Sequence, residues 1–275
     1  MAADGLLFFE LLSPAGGVRI AGLDLSLPLP PDRIAAIRAA ILAHHVVVLP
    51  GQSLTRERQF AFAANFGEVE AHGRERGETK RRDVAHVLSN LDADGNPTIR
   101  VSPAANYHWH TDKPYRSAPP SLTLLYAVEV PPPEAGAGGD TEFANTALAC
   151  AALPDDIKRR IAGLRVAFRP AFDPRLPEVD HPLLRTHPET GRKALYLGNH
   201  ATRIVGLPSA ESTALLAELL EHATRPEFVY AHRWRAGDLV VWDNRVLLHR
   251  LVPGDALRRW RRIMHRSVVA GTVPF

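Results

Sequence analysis

The apolar residues of this chain gather mostly into short stretches, β-branched or aromatic, each closed off by Gly, Pro, Asn or Asp. Leu122 to Val130, Ala194 to Leu197, Phe228 to Ala231, Leu239 to Trp242 and Ile263 to Val269 read as strands. They do not alternate regularly with helical patterns, which disfavours a doubly wound nucleotide-binding sheet. Three helices are legible. Pro31 to His44 places Ile34, Ile37 and Ile41 on one face and leads directly into the buried-strand pattern Val46-Val47-Val48-Leu49. A second helix is expected over Thr55 to Asn65, stopping at Gly67, and a third opens at Pro208 and Ser209 with Leu215, Leu216, Leu219 and Leu220 on its apolar side. The pattern predicts a mainly β fold with flanking helices and a jelly-roll core. The 275 residues allow one large domain or two small ones. No internal repeat or interdomain linker is visible, and Pro131 to Gly139 is short enough to be a loop, so residues 1–275 are expected to form a single domain.

An apolar content of 45% with 23% charged residues is that of an ordinary globular chain with a sizeable core. The run Leu6-Leu7-Phe8-Phe9 is interrupted by Glu10 and preceded by no Lys or Arg, unlike a secretory signal, and no stretch approaches a membrane span. The single cysteine, Cys150, excludes an intrachain disulfide and a Cys-based zinc finger, and it fits a reducing compartment. The expectation is a cytoplasmic protein without a membrane partner. The formal charge is only +3, and much of the basic excess sits at Arg258, Arg259, Arg261, Arg262 and Arg266. Such a cluster fits nucleic-acid phosphates or a solvated face, and composition alone favours the solvated face.

His110-Thr111-Asp112 sets an imidazole and a carboxylate two residues apart, which on a strand directs both to one face and one ion. With 13 His and 30 acidic residues, one or two His-x-Asp/Glu triplets are expected by chance, so the triplet alone decides little. The other one, His187-Pro188-Glu189, is followed by Thr190-Gly191 and reads as a turn. A third histidine, His249, follows the strand-like run Gly237 to Arg245. Two His and one carboxylate with open positions suit an iron(II) that activates oxygen. Downstream, Arg262 and Arg266 are four apart, so a strand turns both guanidinium groups to the same face. Two inward cations need anions, and 2-oxoglutarate brings a distal carboxylate as well as a keto-acid end that chelates iron. That assignment leaves Arg258, Arg259 and Arg261 for a solvated patch and weakens the nucleic-acid reading.

These residues resemble the taurine dioxygenase and chlorophenoxyacetate dioxygenase family of iron(II)/2-oxoglutarate enzymes. The matching pieces occur in the family's order: Gly22-Leu23-Asp24-Leu25, His45 to Pro50, Phe66-Gly67-Glu68, Trp109-His110-Thr111-Asp112 and Gly138-Gly139-Asp140-Thr141. Then come Arg185-Thr186-His187-Pro188 with Gly191 to Leu195, Trp242-Asp243-Asn244-Arg245 ahead of His249, and Arg262 to Arg266. The resemblance implies a double-stranded β-helix core, iron(II) on His110, Asp112 and His249, the distal carboxylate of 2-oxoglutarate on Thr141 and Arg262, and a structural place for His187. It also implies a homo-oligomer, and contacts from His72, Asn106 and Arg266 to a small anionic substrate. His200 sits where taurine-type members tend to place an aromatic, and the segment between Phe168 and His181 is shorter than theirs, which sets this pocket apart from a taurine site.

The implied reaction oxidises, by hydroxylation in the first instance, a C–H bond of a small sulfonate, carboxylate, phosphonate or sulfate ester with O2, giving succinate and CO2 as co-products. Retention of Asp112 favours oxygenation over halogenation, which would need that iron position vacated for chloride. Two other readings stand beside it. A zinc hydrolase explains the triad but not Thr141 with Arg262. A non-catalytic 2-oxoglutarate sensor does not require the complete triad.

Overall fold

In the computed structural model, which describes residues 7–70, 84–99, 104–136, 138–170, 173 and 175–275, the first expected helix forms over Pro31–His44. Pro31 supplies a ring-fixed φ where a backbone N–H would have no helical partner, and Asp32 sits at the positive end of the helix dipole. The helix ends where His45 enters the left-handed region at φ 66° and donates its N–H to the Ile41 carbonyl at 2.8 Å. The second helix is shorter than expected. Thr55 caps it, its hydroxyl accepting from the Arg58 N–H at 3.2 Å, the α-helix covers Arg56–Ala63, and Ala64–Phe66 tightens into a 3-10 turn before Gly67. The third covers Ser209–Ala223 and buries Leu215 and Leu219.

Two sheets make the centre. The larger has seven strands in the spatial order Phe8–Leu11, Val18–Ala21, Val46–Leu49, Leu239–Asp243, Leu122–Glu129, Ile263–Val269 and His86–Ser89. The smaller has Val229–His232, Thr141–Asn145 and Leu247–Leu251, with Thr141–Asn145 in the middle. All these pairings are antiparallel except Val18–Ala21 with Val46–Leu49. This is the jelly-roll arrangement expected from the scattered short strands.

The period of two along each strand divides the interior into layers. Val47, Leu49, Leu124, Leu239 and Val241 pack outward against Ile37, Ile41 and Phe62 of the first two helices. Their neighbours Val46, Val48, Leu125, Val240 and Trp242 point the other way and meet Phe143 and Leu247 of the smaller sheet. Both faces of the larger sheet are therefore covered, which is why Val46–Leu49 is apolar at every position rather than alternating. On the far side of the smaller sheet, Ala144 and Leu248 pack against Leu215 and Leu219 and against a three-stranded sheet that contains Arg165–Phe168. Among the described residues no helix is long and apolar enough to cross a membrane.

Candidate active site

Trp242, His249, Leu251, Leu125, Thr141 and Leu88 face each other between the two sheets and line one cavity. His110 and Asp112 enter this cavity from a connecting segment. They do not lie on a continuous strand, as the two-residue spacing had suggested. Instead, His110 forms an isolated antiparallel bridge with His249, its N–H donating to the His249 carbonyl at 3.0 Å while the His249 N–H donates back at 2.7 Å. One bridge suffices to put both imidazoles on the same side, with ring centroids 4.2 Å apart. His249 itself lies on the strand Leu247–Leu251, beyond the one from which the sequence placed it. Lys113 then turns the chain away at φ 47°, its ammonium paired with Glu70.

One nitrogen or oxygen from each of His110, Asp112 and His249 lies within 4.8 Å of the others, and all three side chains are buried. Hydrogen bonds within the protein orient two of the three, His110 and Asp112. Nδ1 of His110 lies 2.8 Å from the His108 carbonyl, so it carries the proton and leaves the Nε2 lone pair free. Thr123 donates its hydroxyl to Oδ2 of Asp112 at 2.5 Å, leaving Oδ1 facing Nε2 of His249 at 4.0 Å and the Arg266 guanidinium at 3.9 Å. Burial, then the neighbouring His110, holds the His249 imidazole down to about 3, and burial likewise lowers His110. Burial alone would raise Asp112, but His249, Arg266 and His110 outweigh it with the Thr123 hydrogen bond and keep the carboxyl below its usual range. Two neutral imidazoles and one carboxylate form the donor set that a divalent metal needs, and these residues fit one.

Thr141 and Arg262, the residues expected to bind 2-oxoglutarate, lie in the same cavity. Thr141 accepts a hydrogen bond from the Trp234 indole at 3.0 Å, so its single hydroxyl proton is free for another acceptor. Arg262 directs Nε to the Gly139 carbonyl at 3.2 Å, and among the described residues no carboxylate lies within salt-bridge distance of it. Burial depresses its guanidinium to about 10, partly opposed by Tyr107 and Asp140. Arg266 lines the same space from the strand Ile263–Val269, as the four-residue spacing requires, and Asn106 enters from the 3-10 turn Ala104–Tyr107.

His200 is close but stands behind the triad: its ring meets His110 edge-on with centroids 6.4 Å apart and Tyr115 at 5.2 Å, and burial holds it down to about 4. His72 lies outside the described residues. His187 occupies the turn that its proline implied, and donates from Nε2 to Asp243 at 3.0 Å away from the cavity. The remaining arginines of the basic cluster have local partners, Asp255 for Arg258, the Ala135 carbonyl for Arg259 and Glu129 for Arg261. Thr123 and Trp234 are site residues that the sequence reading missed. Thr123 carried a signal, as a polar residue inside the apolar run Leu122 to Val130. Trp234 carried none.

Residues 9–268 match the family described as taurine catabolism dioxygenase TauD, TfdA family. The chain belongs to this family. It is 38% identical over 262 residues to an alpha-ketoglutarate-dependent 2,4-dichlorophenoxyacetate dioxygenase of Cupriavidus pinatubonensis, covering 87% of this chain and 90% of that one. Among solved structures it superposes with a TM-score of 0.83 on a taurine dioxygenase from Burkholderia xenovorans, at 36% identity and with 98% of this chain and 90% of that one covered. It also superposes, with a TM-score of 0.81 and 34% identity, on AAD-2 in complex with Mn(II) and N-oxalylglycine, covering 98% of this chain and 99% of that one. As a TauD/TfdA enzyme it is an iron(II)- and 2-oxoglutarate-dependent dioxygenase that consumes O2.

Proposed function

We propose that His110, Asp112 and His249 hold the iron, that Thr141 and Arg262 hold the distal carboxylate of 2-oxoglutarate, and that Arg266 with Asn106 receives the charged group of a small organic anion. Iron, 2-oxoglutarate and O2 together supply the oxidising power for a substrate C–H bond, with succinate and CO2 as co-products. The chain's own residues supply orientation and charge. The His108 carbonyl and the Thr123 hydroxyl fix which atoms of His110 and Asp112 face the metal. Trp234 leaves the Thr141 proton for a carboxylate, and Gly139 leaves the two terminal nitrogens of Arg262 for the same group.

The observation that carries the anionic-substrate reading is the pair of guanidinium groups in one cavity. Among the described residues, the charged side chains lining it are Asp112, Arg262 and Arg266. With a divalent metal present and doubly charged 2-oxoglutarate bound, one positive charge remains, and a mono-anionic substrate neutralises it. Dioxygenases named for 2,4-dichlorophenoxyacetate and for taurine are among the chain's relatives; the first name describes a carboxylate anion at neutral pH and the second a zwitterion that carries a sulfonate. His72 is proposed as a further contact to this group, while His200, which packs behind His110 and does not line the cavity, supports the wall from outside it.

The test is Arg266→Ala in an assay of succinate release stimulated by small sulfonates, carboxylates, phosphonates and sulfate esters. An accepted anion should lose affinity by about 10- to 100-fold, the range of a charge-assisted hydrogen bond, while substrate-independent decarboxylation of 2-oxoglutarate persists. Loss of 2-oxoglutarate binding instead would place Arg266 in the co-substrate site. We read residues 1–275 as one catalytic domain that works in the cytoplasm as a homo-oligomer, with neither nucleic acid nor membrane as partner. The local pairing of Arg258 and Arg261 and the lone, buried Cys150 support that reading.

A further inference from the structure

Asn90 lines the same cavity and is 2% exposed, yet nothing in the sequence singled it out. It follows the edge strand His86–Ser89, whose last residue pairs with Ile263, and it extends that ladder by one position to Arg262. Its backbone N–H donates to the Arg262 carbonyl at 3.2 Å, and its side-chain Oδ1 accepts the Arg262 N–H at 2.7 Å. Both ends of the Arg262 peptide are thus held by one residue. The two hydrogens on Nδ2 go to the carbonyls of Leu257 at 2.9 Å and Trp260 at 3.0 Å, at the end of the short helix Ala256–Arg259 that leads into Arg262. These partners fix the amide orientation, since only an oxygen can face an N–H and only a nitrogen can face two carbonyls.

We infer that Asn90 is a positioning residue for co-substrate recognition, one that aims the Arg262 guanidinium at the distal carboxylate without touching it. With both amide hydrogens engaged, Asn90 has no donor left for a ligand, although it lines the cavity. Its action must pass through Arg262. Arg262 stands one residue before the strand Ile263–Val269, whose ladder to Leu122–Glu129 is irregular between Ile263 and Met264, so on that side regular pairing does not lock its backbone. Asn90 takes over that task with a buried set of bonds to residues 257, 260 and 262. A guanidinium must keep its fork in the plane of a carboxylate to bind it at two points, and a small shift of its backbone loses that geometry.

The inference rests on Arg262 binding the distal carboxylate, and the experiment separates failure of the two. Mn(II)-loaded protein is titrated calorimetrically with N-oxalylglycine, which has a distal carboxylate, and with oxamate, which keeps the chelating end and lacks that carboxylate. Asn90→Ala should weaken N-oxalylglycine by about 10-fold or more and oxamate by less than about 2-fold, and it should add little further loss to Arg262→Ala. Asn90→Ser keeps a hydroxyl for the Arg262 N–H and should fall between the two, and it serves as the measured variant where Asn90→Ala fails to fold. Equal loss of both probes would mean general loosening and overturn the positioning role, as would full additivity with Arg262→Ala or collapse of both Asn90 variants. If Arg262→Ala leaves N-oxalylglycine binding unchanged, the co-substrate assignment falls and takes this inference with it. If Arg262→Ala weakens it and Asn90→Ala does not, only the inference falls.

Discussion

Two clusters in this molecule use the same chemistry to opposite ends. Asp243, His187 and Arg245 form one, at the end of the strand Leu239–Asp243, and His110, Asp112, His249 and Arg266 form the other. In the first, both Asp243 oxygens are engaged: Oδ1 accepts from the backbone N–H and Nε of Arg245, and Oδ2 accepts from His187 Nε2 and a terminal nitrogen of Arg245. The far nitrogen of His187 accepts from the backbone N–H groups of Glu189 and Thr190, and Arg245 also reaches Glu189 at 2.6 Å. In the second cluster, Oδ1 of Asp112 lies 4.0 Å from Nε2 of His249 and 3.9 Å from the Arg266 guanidinium without hydrogen bonding, and these atoms open on a cavity. A histidine beside a carboxylate is therefore structural when every lone pair and proton is answered within the protein. It becomes a ligand site when the free atoms converge on space.

The sharpest way to break this contrast is to compare stabilities of the metal-free protein. Asp243→Ala leaves the buried Arg245 without its main partner and should cost about 3–5 kcal/mol in denaturant unfolding. His249→Ala removes a neutral ring whose Nδ1 has no hydrogen-bond partner among the described residues, and should change stability by about 1 kcal/mol or less. Similar losses in both variants would erase the distinction.

A pH titration of stability probes the edge of the structural cluster. Burial holds His45, which feels Asp243, Arg192 and His187, down to about 4 from an ordinary 6.5. Between those values the unfolded chain binds a proton that the folded chain refuses, so stability rises with pH through this window and is lost as pH falls from about 6.5 to about 4. His45 alone contributes at most on the order of 3 kcal/mol to that loss. His45→Asn, which suits the left-handed backbone there, should flatten part of the slope. An unchanged slope would remove His45 from this account.

In the cavity on which the second cluster opens, Arg262→Ala should raise the 2-oxoglutarate requirement by about 10- to 100-fold and that for the primary substrate far less. The smallest expected change is that of Trp234→Phe. It loses only the N–H that orients Thr141, so co-substrate affinity should fall by about 3- to 10-fold, measured as KM for 2-oxoglutarate. An effect on the primary substrate of equal size would point to altered packing instead.

Much of this contrast was legible in the sequence, and its gaps have physical causes. The helix Pro31–His44 and the strand Leu239–Asp243 carried complete local signals, an apolar face with a proline start in one and an apolar run with turn residues on its flanks in the other. His187 could be set aside because Pro188 forces a turn. Arg262 and Arg266 were placed on one face by strand geometry. His110 and Asp112 were placed correctly for a partly wrong reason, since one β-bridge to His249 does the work that a strand was expected to do. Asn90, Trp234 and Thr123 act through hydrogen bonds to residues 11 to 172 positions away. No local periodicity encodes such a pairing, which exists only once distant segments have come together in the fold.

The central claim is that the three converging atoms of His110, Asp112 and His249 hold the working iron. The direct measurement is succinate formed from 2-oxoglutarate by purified, iron-replete protein under air, wild type against Asp112→Ala, with circular dichroism confirming that both are folded. Wild type should release succinate in an iron- and O2-dependent way, and Asp112→Ala should fall to the protein-free background. Substantial succinate formation by folded Asp112→Ala, or formation by wild type that is indifferent to iron, would contradict the assignment.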